Sequence, residues 1–123
     1  MTGKYLPRLL LIALVIGAML AGGCARRQTL YYWGDYQPQV YEYLKGQGKS
    51  HAEQIIALEK VVEDAKSENK PLPPGFHAHL GMLQAAEGRL DLAQLEFQSE
   101  KSHFPESAVF MDMLLAKLNG EKK

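Results

Sequence analysis

Cys24 is the only cysteine in the 123-residue chain, and two common chemistries are closed to it. It cannot form an internal disulfide, and it has no second cysteine with which to hold a metal. What remains is a nucleophilic sulfur. Gly22 and Gly23 before it are small, so the peptide bond ahead of Cys24 can enter a narrow peptidase cleft. Further upstream, Lys4 and Arg8 stand without an acidic residue, and an uncharged run extends from Leu9 to Ala21. A basic start, an apolar stretch and small residues at a cut site are the layout of a secretory signal. The run is 13 residues (9 to 21), or about 20 Å as a helix at about 1.5 Å per residue. Spanning a bilayer core takes about 20 apolar residues. A cleaved leader is therefore expected rather than a permanent span.

The stretch Leu20-Ala21-Gly22-Gly23-Cys24 resembles the lipobox of bacterial lipoproteins. The resemblance implies transfer of diacylglycerol to the Cys24 sulfur, cleavage just before it, and an N-acyl chain such as palmitate on the new terminus. Ala21 stands where that motif most often carries leucine. Ala25, not aspartate, follows the cysteine, which by resemblance to enterobacterial sorting implies delivery to the outer membrane. Several acyl chains, each stabilising by about 0.8 kcal/mol per buried CH₂, hold a protein there durably. The expected organisation is a signal peptide over 1–23, a lipidated tether over 24–29 and a periplasm-facing domain over 30–123.

No other group of residues carries catalytic chemistry. His77 and His79 are separated by one residue, so on a helix they point about 200° apart and cannot clamp one ion as an i, i+4 pair does. No metal site is expected. His51 and His103 read as surface residues, and Glu63-Asp64 and Glu96/Glu100 as the wet faces of amphipathic helices. No serine sits in a G-x-S-x-G elbow, and no glycine-rich loop follows a strand. The expectation is that the protein is not an enzyme and needs no cofactor beyond its covalent lipid. Lys and Arg number 14, as do Asp and Glu. Removing Lys4 and Arg8 with the leader leaves 14 − 2 = 12 basic against 14 acidic residues, a formal charge of −2. That is not a nucleic-acid-binding surface.

The elements that must position everything else are helical, and no strand-like alternation of useful length occurs. Ser50 and Glu53 have capping-box spacing. They open a helix over 50–69 whose Ile55, Leu58, Val61, Val62 and Ala65 form an apolar stripe. Pro71, Pro73 and Pro74 end it. From Pro74 onward, Leu80, Gly81, Gly88, Ala93, Phe97 and Pro105 fall at the intervals of a tetratricopeptide repeat, a helix–turn–helix unit of about 34 residues. Gly81 and Ala93 are small where two helices would cross, Gly88 would end the first helix and Asp91 would cap the second. Met111, Leu114, Leu115 and Leu118 supply the apolar face of a following helix, and Pro38 to Lys45 reads as a short leading one. An all-α domain of about five helices in tetratricopeptide-like antiparallel hairpins is expected, each hairpin burying its face on a neighbour.

Ahead of the helices, LYYWGDY (Leu30 to Tyr36) crowds Tyr31, Tyr32, Trp33 and Tyr36 around a Gly34-Asp35 turn signal. These rings can complete a small core or anchor another protein. Together with the cysteine anchor, Leu80-Gly81 and Phe104-Pro105-Glu106-Ser107, the L-Y-x-W-G-x-Y pattern resembles a family of small bacterial outer-membrane lipoproteins of undefined function. Members of that family are typically encoded beside a lipoprotein resembling the curli secretion channel. The resemblance implies an accessory place in an envelope lipoprotein assembly, and it supplies no catalytic residue.

The expected function is that of a lipid-anchored protein–protein interaction module. Its candidate partner-binding residues are Tyr31, Trp33 and Tyr36 in the aromatic segment, and His77, Leu80, Gln84 and Met111 on the first helices of the hairpins. The alternative is a structural lipoprotein that binds peptidoglycan or another glycan through its aromatic segment.

Overall fold

The Ser50 hydroxyl accepts the Glu53 backbone N–H, and the Glu53 carboxylate accepts the N–H of Ser50 at 2.8 Å, so both halves of the capping box are made. They start a helix over His51–Ser67 in the computed structural model, which describes residues 5–21, 28–46 and 48–121. The described helices are α1 (Leu6–Ala21), α2 (Tyr36–Lys45), α3 (His51–Ser67), α4 (Phe76–Ala86), α5 (Leu90–His103) and α6 (Ala108–Glu121). A single 3₁₀ turn, Pro105–Ser107, leads into α6. No strand occurs among the described residues. Five helices therefore follow α1 among the described residues, as the periodicity indicates. Cys24 and most of the tether lie outside the described residues. No helix among those described is long and apolar enough to cross a membrane.

Helix ends follow local chemistry. At the end of α3, Asn69 takes a left-handed conformation (φ 52°), its N–H donating to Lys66 C=O while Lys70 N–H donates back to Ala65 C=O. At the end of α4, Gly88 plays the same part at φ 74°, with Gly88 N–H on Ala85 C=O and Arg89 N–H on Gln84 C=O. Both are six-to-one closures that satisfy the last carbonyls of a helix. The second helix of the hairpin departs from expectation: Arg89 stands at its cap position without a side-chain cap bond. Asp91 lies inside the first turn instead, where its negative charge suits the helix dipole.

Helices α4 and α5 are antiparallel, since Gly75 meets Glu100, His77 meets Glu96, and Gly81 meets Ala93 and Phe97 in opposite chain order. The crossing point is Gly81. A Cβ there would lie 2.6 Å from the Phe97 ring and 3.2 Å from the Ala93 carbonyl, so the two helices touch backbone to side chain.

Two apolar clusters flank this hairpin. On one side Ile55, Leu58 and Val61 of α3 bury against Phe76, Leu80 and Leu83 of α4. On the other, Ala78 of α4 and Ala93 and Phe97 of α5 bury against Met111 and Leu118 of α6. Each fully buried large apolar side chain contributes about 1.5–3 kcal/mol. The hairpin thus shares its two faces between its neighbours, which is the logic of a stacked helical array.

Candidate functional site

The aromatic segment reaches the helices through one backbone bond, Tyr32 N–H to Pro71 C=O at 2.8 Å. Its rings then divide. Tyr32, Tyr36 and Tyr43 pack on the α3–α4 cluster. Tyr36 meets Phe76 with ring centroids 5.2 Å apart, and its hydroxyl approaches Gly75. Burial, with the nearby Glu100 charge second, raises its pKa above the ordinary tyrosine value, so its hydroxyl stays protonated. Trp33 stacks on Tyr36 at 6.3 Å yet stays 36% exposed, while Leu30 and Tyr41 are largely in solvent. Tyr31 turns the other way and sets its ring edge against Phe104 at 6.2 Å. The segment is thus core on one side and surface on the other.

The Tyr31–Phe104 contact helps to enclose a groove of about 490 Å³ with apolar walls from Tyr31, Val62, Leu72 and Phe104. Besides Tyr31, its polar lining residues are Lys66, Lys70, His77 and His103. A second hollow of about 330 Å³ adjoins it, floored by Leu80 and Gln84 of α4 and rimmed by Glu59 and Glu63 of α3 and Leu92 and Glu96 of α5. The two share Val62 and Lys66. At their junction His77 Nδ1 meets Glu96 Oε2 at 2.7 Å, and the His103 ring stacks on His77 at 5.6 Å. Together they form one furrow over α4 between α3 and α5; Glu59, Glu63 and Glu96 line the second hollow, Lys66 lines both, and Lys70 of the first is paired with Glu68 at 2.9 Å.

Of the expected binding residues, the fold brings Tyr31, His77, Leu80 and Gln84 to this furrow. Met111 does not join them. It is 1% exposed in the α4–α5–α6 cluster, because Ala78, Met82 and Ala85, not His77, form the face of α4 turned toward that cluster. Leu80 and Gln84 are themselves almost wholly buried, so they shape the floor and little more.

Two carboxylates expected on a wet face are not there. Glu96 is half-covered by its pair with His77. Glu100 is 2% exposed and accepts the N–H groups of Gly75 (2.7 Å) and Ala78 (3.4 Å). It closes the N-terminus of α4, whose own cap residue is a glycine with no side chain to do so. His103 is solvent-exposed as expected, yet it also lines the furrow. The members that sequence reasoning passed over are Phe104, Leu72, Lys66, Glu96 and His103. Glu100 lines neither hollow, and its burial left no spacing signal because its partners Gly75 and Ala78 lie 25 and 22 positions earlier.

His77 and His79 part company. His77 faces the furrow, whereas His79 is 4% exposed between the Tyr36 and Tyr43 rings, 6.1 and 5.2 Å away. Its Nε2 has no hydrogen-bond partner among the described residues, and burial lowers its pKa, so the ring is neutral. No group of three His, Cys, Asp or Glu residues that could hold a metal occurs among the described residues. The stacked His77 and His103 rings lie nearly parallel (15°) instead of converging on a common point.

A family model described as a domain of unknown function (DUF4810) matches residues 30–114, from the first residue of the aromatic segment into α6, and the chain belongs to that family. No curated protein and no solved structure matches the chain.

Proposed function

We propose that the protein is a lipid-anchored interaction module, an accessory subunit of an outer-membrane lipoprotein assembly that presents its furrow to a partner in the periplasm. The observation that carries this reading is the furrow itself. It exists because the aromatic segment folds back and sets Tyr31 against Phe104, so the segment placed directly after the tether also builds a wall of the surface. Acyl chains on Cys24 would confine the domain to a thin layer at the membrane and raise its effective concentration for partners held in the same layer. A neighbouring lipoprotein resembling the curli secretion channel is the expected partner.

A structural lipoprotein that stacks glycan on aromatic rings is the second reading. The partly exposed Trp33 favours it, although the Trp33–Tyr36 stack occupies one face of the indole.

In-cell cross-linking of the C-terminally tagged chain, with detergent extraction and mass spectrometry, tests both, with Cys24→Ser in parallel. Capture of a defined envelope lipoprotein by the wild type and its loss in Cys24→Ser is the expected outcome. Recovery of peptidoglycan fragments alone would overturn the module reading and favour the glycan one.

A further inference from the structure

We propose that the outer face of α6 is a contact between two copies of this chain, which pair antiparallel about a two-fold axis. The inference goes beyond the module reading and does not depend on it. Helix α6 turns Met111 and Leu118 into the α4–α5–α6 cluster, with Leu114 and Leu115 packed against it. Its other side is apolar as well: Val109 is 85% exposed, Phe110 49% and Met113 58%. Ala116 extends this strip and is also exposed. A contiguous exposed apolar strip marks an interaction surface.

The order of residues along the strip selects the occupant. Glu106, Phe110, Met113 and Lys117 are spaced four, three and four apart, which is the spacing of a helix–helix seam. At about 100° per residue, Phe110, Met113 and Lys117 leave the helix within about 60° of one another. Glu106 stands on the 3₁₀ turn that runs directly into α6. A two-fold axis midway between Phe110 and Met113 sets Phe110 of one copy level with Met113 of the other, and the contact occurs twice. The same axis lies midway between Glu106 and Lys117, so opposite charges close both ends of the seam. Both residues are exposed, and neither has an ion-pair partner among the described residues. Asp112, on another side of the helix, is already held by Lys101 at 2.6 Å. A parallel copy would set Glu106 on Glu106 and Lys117 on Lys117, so charge selects the antiparallel pair. The strip is thus complementary to itself, the property of an isologous interface. One helix pair buries less than the standard interface of about 1,200–2,000 Å², so the association is weak and depends on concentration.

The test uses full-length chains with donor- or acceptor-labelled C-terminal tags, in a large excess of detergent micelles so that copies seldom share one. Energy transfer is titrated against protein concentration, and circular dichroism shows that each variant is folded. Wild-type copies should show transfer that rises with concentration. Met113→Glu should weaken it about tenfold, because it buries a charge in the seam. Glu106→Lys alone, or Lys117→Glu alone, should weaken it about fivefold, since each turns two exposed ion pairs into repulsions. Mixing donor-labelled Glu106→Lys with acceptor-labelled Lys117→Glu should restore the wild-type level, because each like-charge pair becomes an opposite one. Failure of that mixture to recover overturns the antiparallel register. Transfer that survives Met113→Glu places the contact elsewhere and overturns the proposal. So does absence of transfer between wild-type copies, which leaves the strip to another protein or a lipid surface.

Discussion

The carboxylate of Glu100 accepts the backbone N–H of Gly75 at 2.7 Å, so the start of α4 is closed by a residue 25 positions later on α5. A capping side chain is usually local, one residue from the first turn. Here the cap residue is glycine, chosen for its left-handed conformation at φ 86° and for the approach of the Tyr36 hydroxyl. The capping function moves to the partner helix, and the hairpin is locked in register as a consequence.

Glu100→Ala should therefore destabilise the fold by about 2 kcal/mol, since it leaves buried N–H groups at a helix terminus without an acceptor. Glu100→Gln keeps an amide oxygen in place and should cost about half as much. Urea unfolding followed by circular dichroism distinguishes them; equal stability of all three chains would show that solvent serves those N–H groups as well.

Gly81→Ala inverts the usual sign of its class. In an exposed helix interior the change stabilises by about 1 kcal/mol. At this crossing the new methyl would sit 2.6 Å from Phe97 and 3.2 Å from the Ala93 carbonyl, so the helices must separate. A loss of about 1–3 kcal/mol is expected, the range for overpacked cores. Thermal melts check this, and pairing with Phe97→Leu should recover part of the loss.

Acid should weaken the domain through His79. Its pKa in the folded state lies below the ordinary value of 6.5 because burial opposes its charge. The unfolded chain therefore binds more protons as pH falls below about 6.5, and stability is lost from there down through the lower folded value. His79→Phe removes the titrating group and its unpartnered Nε2 while keeping a ring between Tyr36 and Tyr43. The variant should show a flatter stability profile between neutral pH and the carboxylate range; an unchanged slope would assign the acid sensitivity elsewhere.

Trp33 and Tyr36 are neighbours in a stack, yet they should respond differently to truncation. Tyr36 packs on Phe76, and Tyr36→Ala should cost about 3 kcal/mol as a large-to-small change in the core. Trp33 is 36% exposed, so Trp33→Ala should cost less than half of that. Melting curves read the stability difference, and in-cell cross-linking reads partner capture. Stability loss in Trp33→Ala equal to that in Tyr36→Ala would make the whole segment core.

Position after position along the chain, the helices themselves were written locally. Ser50 and Glu53 announce the start of α3, Gly88 ends α4, and Pro105 separates α5 from α6. The spacing of Gly81, Ala93 and Phe97 announces a close crossing, and the crossing is there. Such signals are legible because helical period, capping and turn chemistry act over three or four residues. The one slip of this kind, Asp91 as a cap, is a displacement of two positions within the same turn.

What tertiary structure alone decided is which side of each element faces which neighbour. Tyr31 and Tyr32 are adjacent, yet one walls the furrow and the other packs on the core, because the backbone bond from Tyr32 to Pro71 fixes the direction of the segment. Met111 leaves the expected binding face, and Phe104, Lys66 and His103 enter the furrow from two other elements. Residues 25 or more positions apart carry no spacing signal, and their meeting depends on how apolar faces pack once all five helices are in place. Local chemistry wrote where the helices run and where two of them touch; packing alone decided that Tyr31, His77, His103 and Phe104 would line one groove.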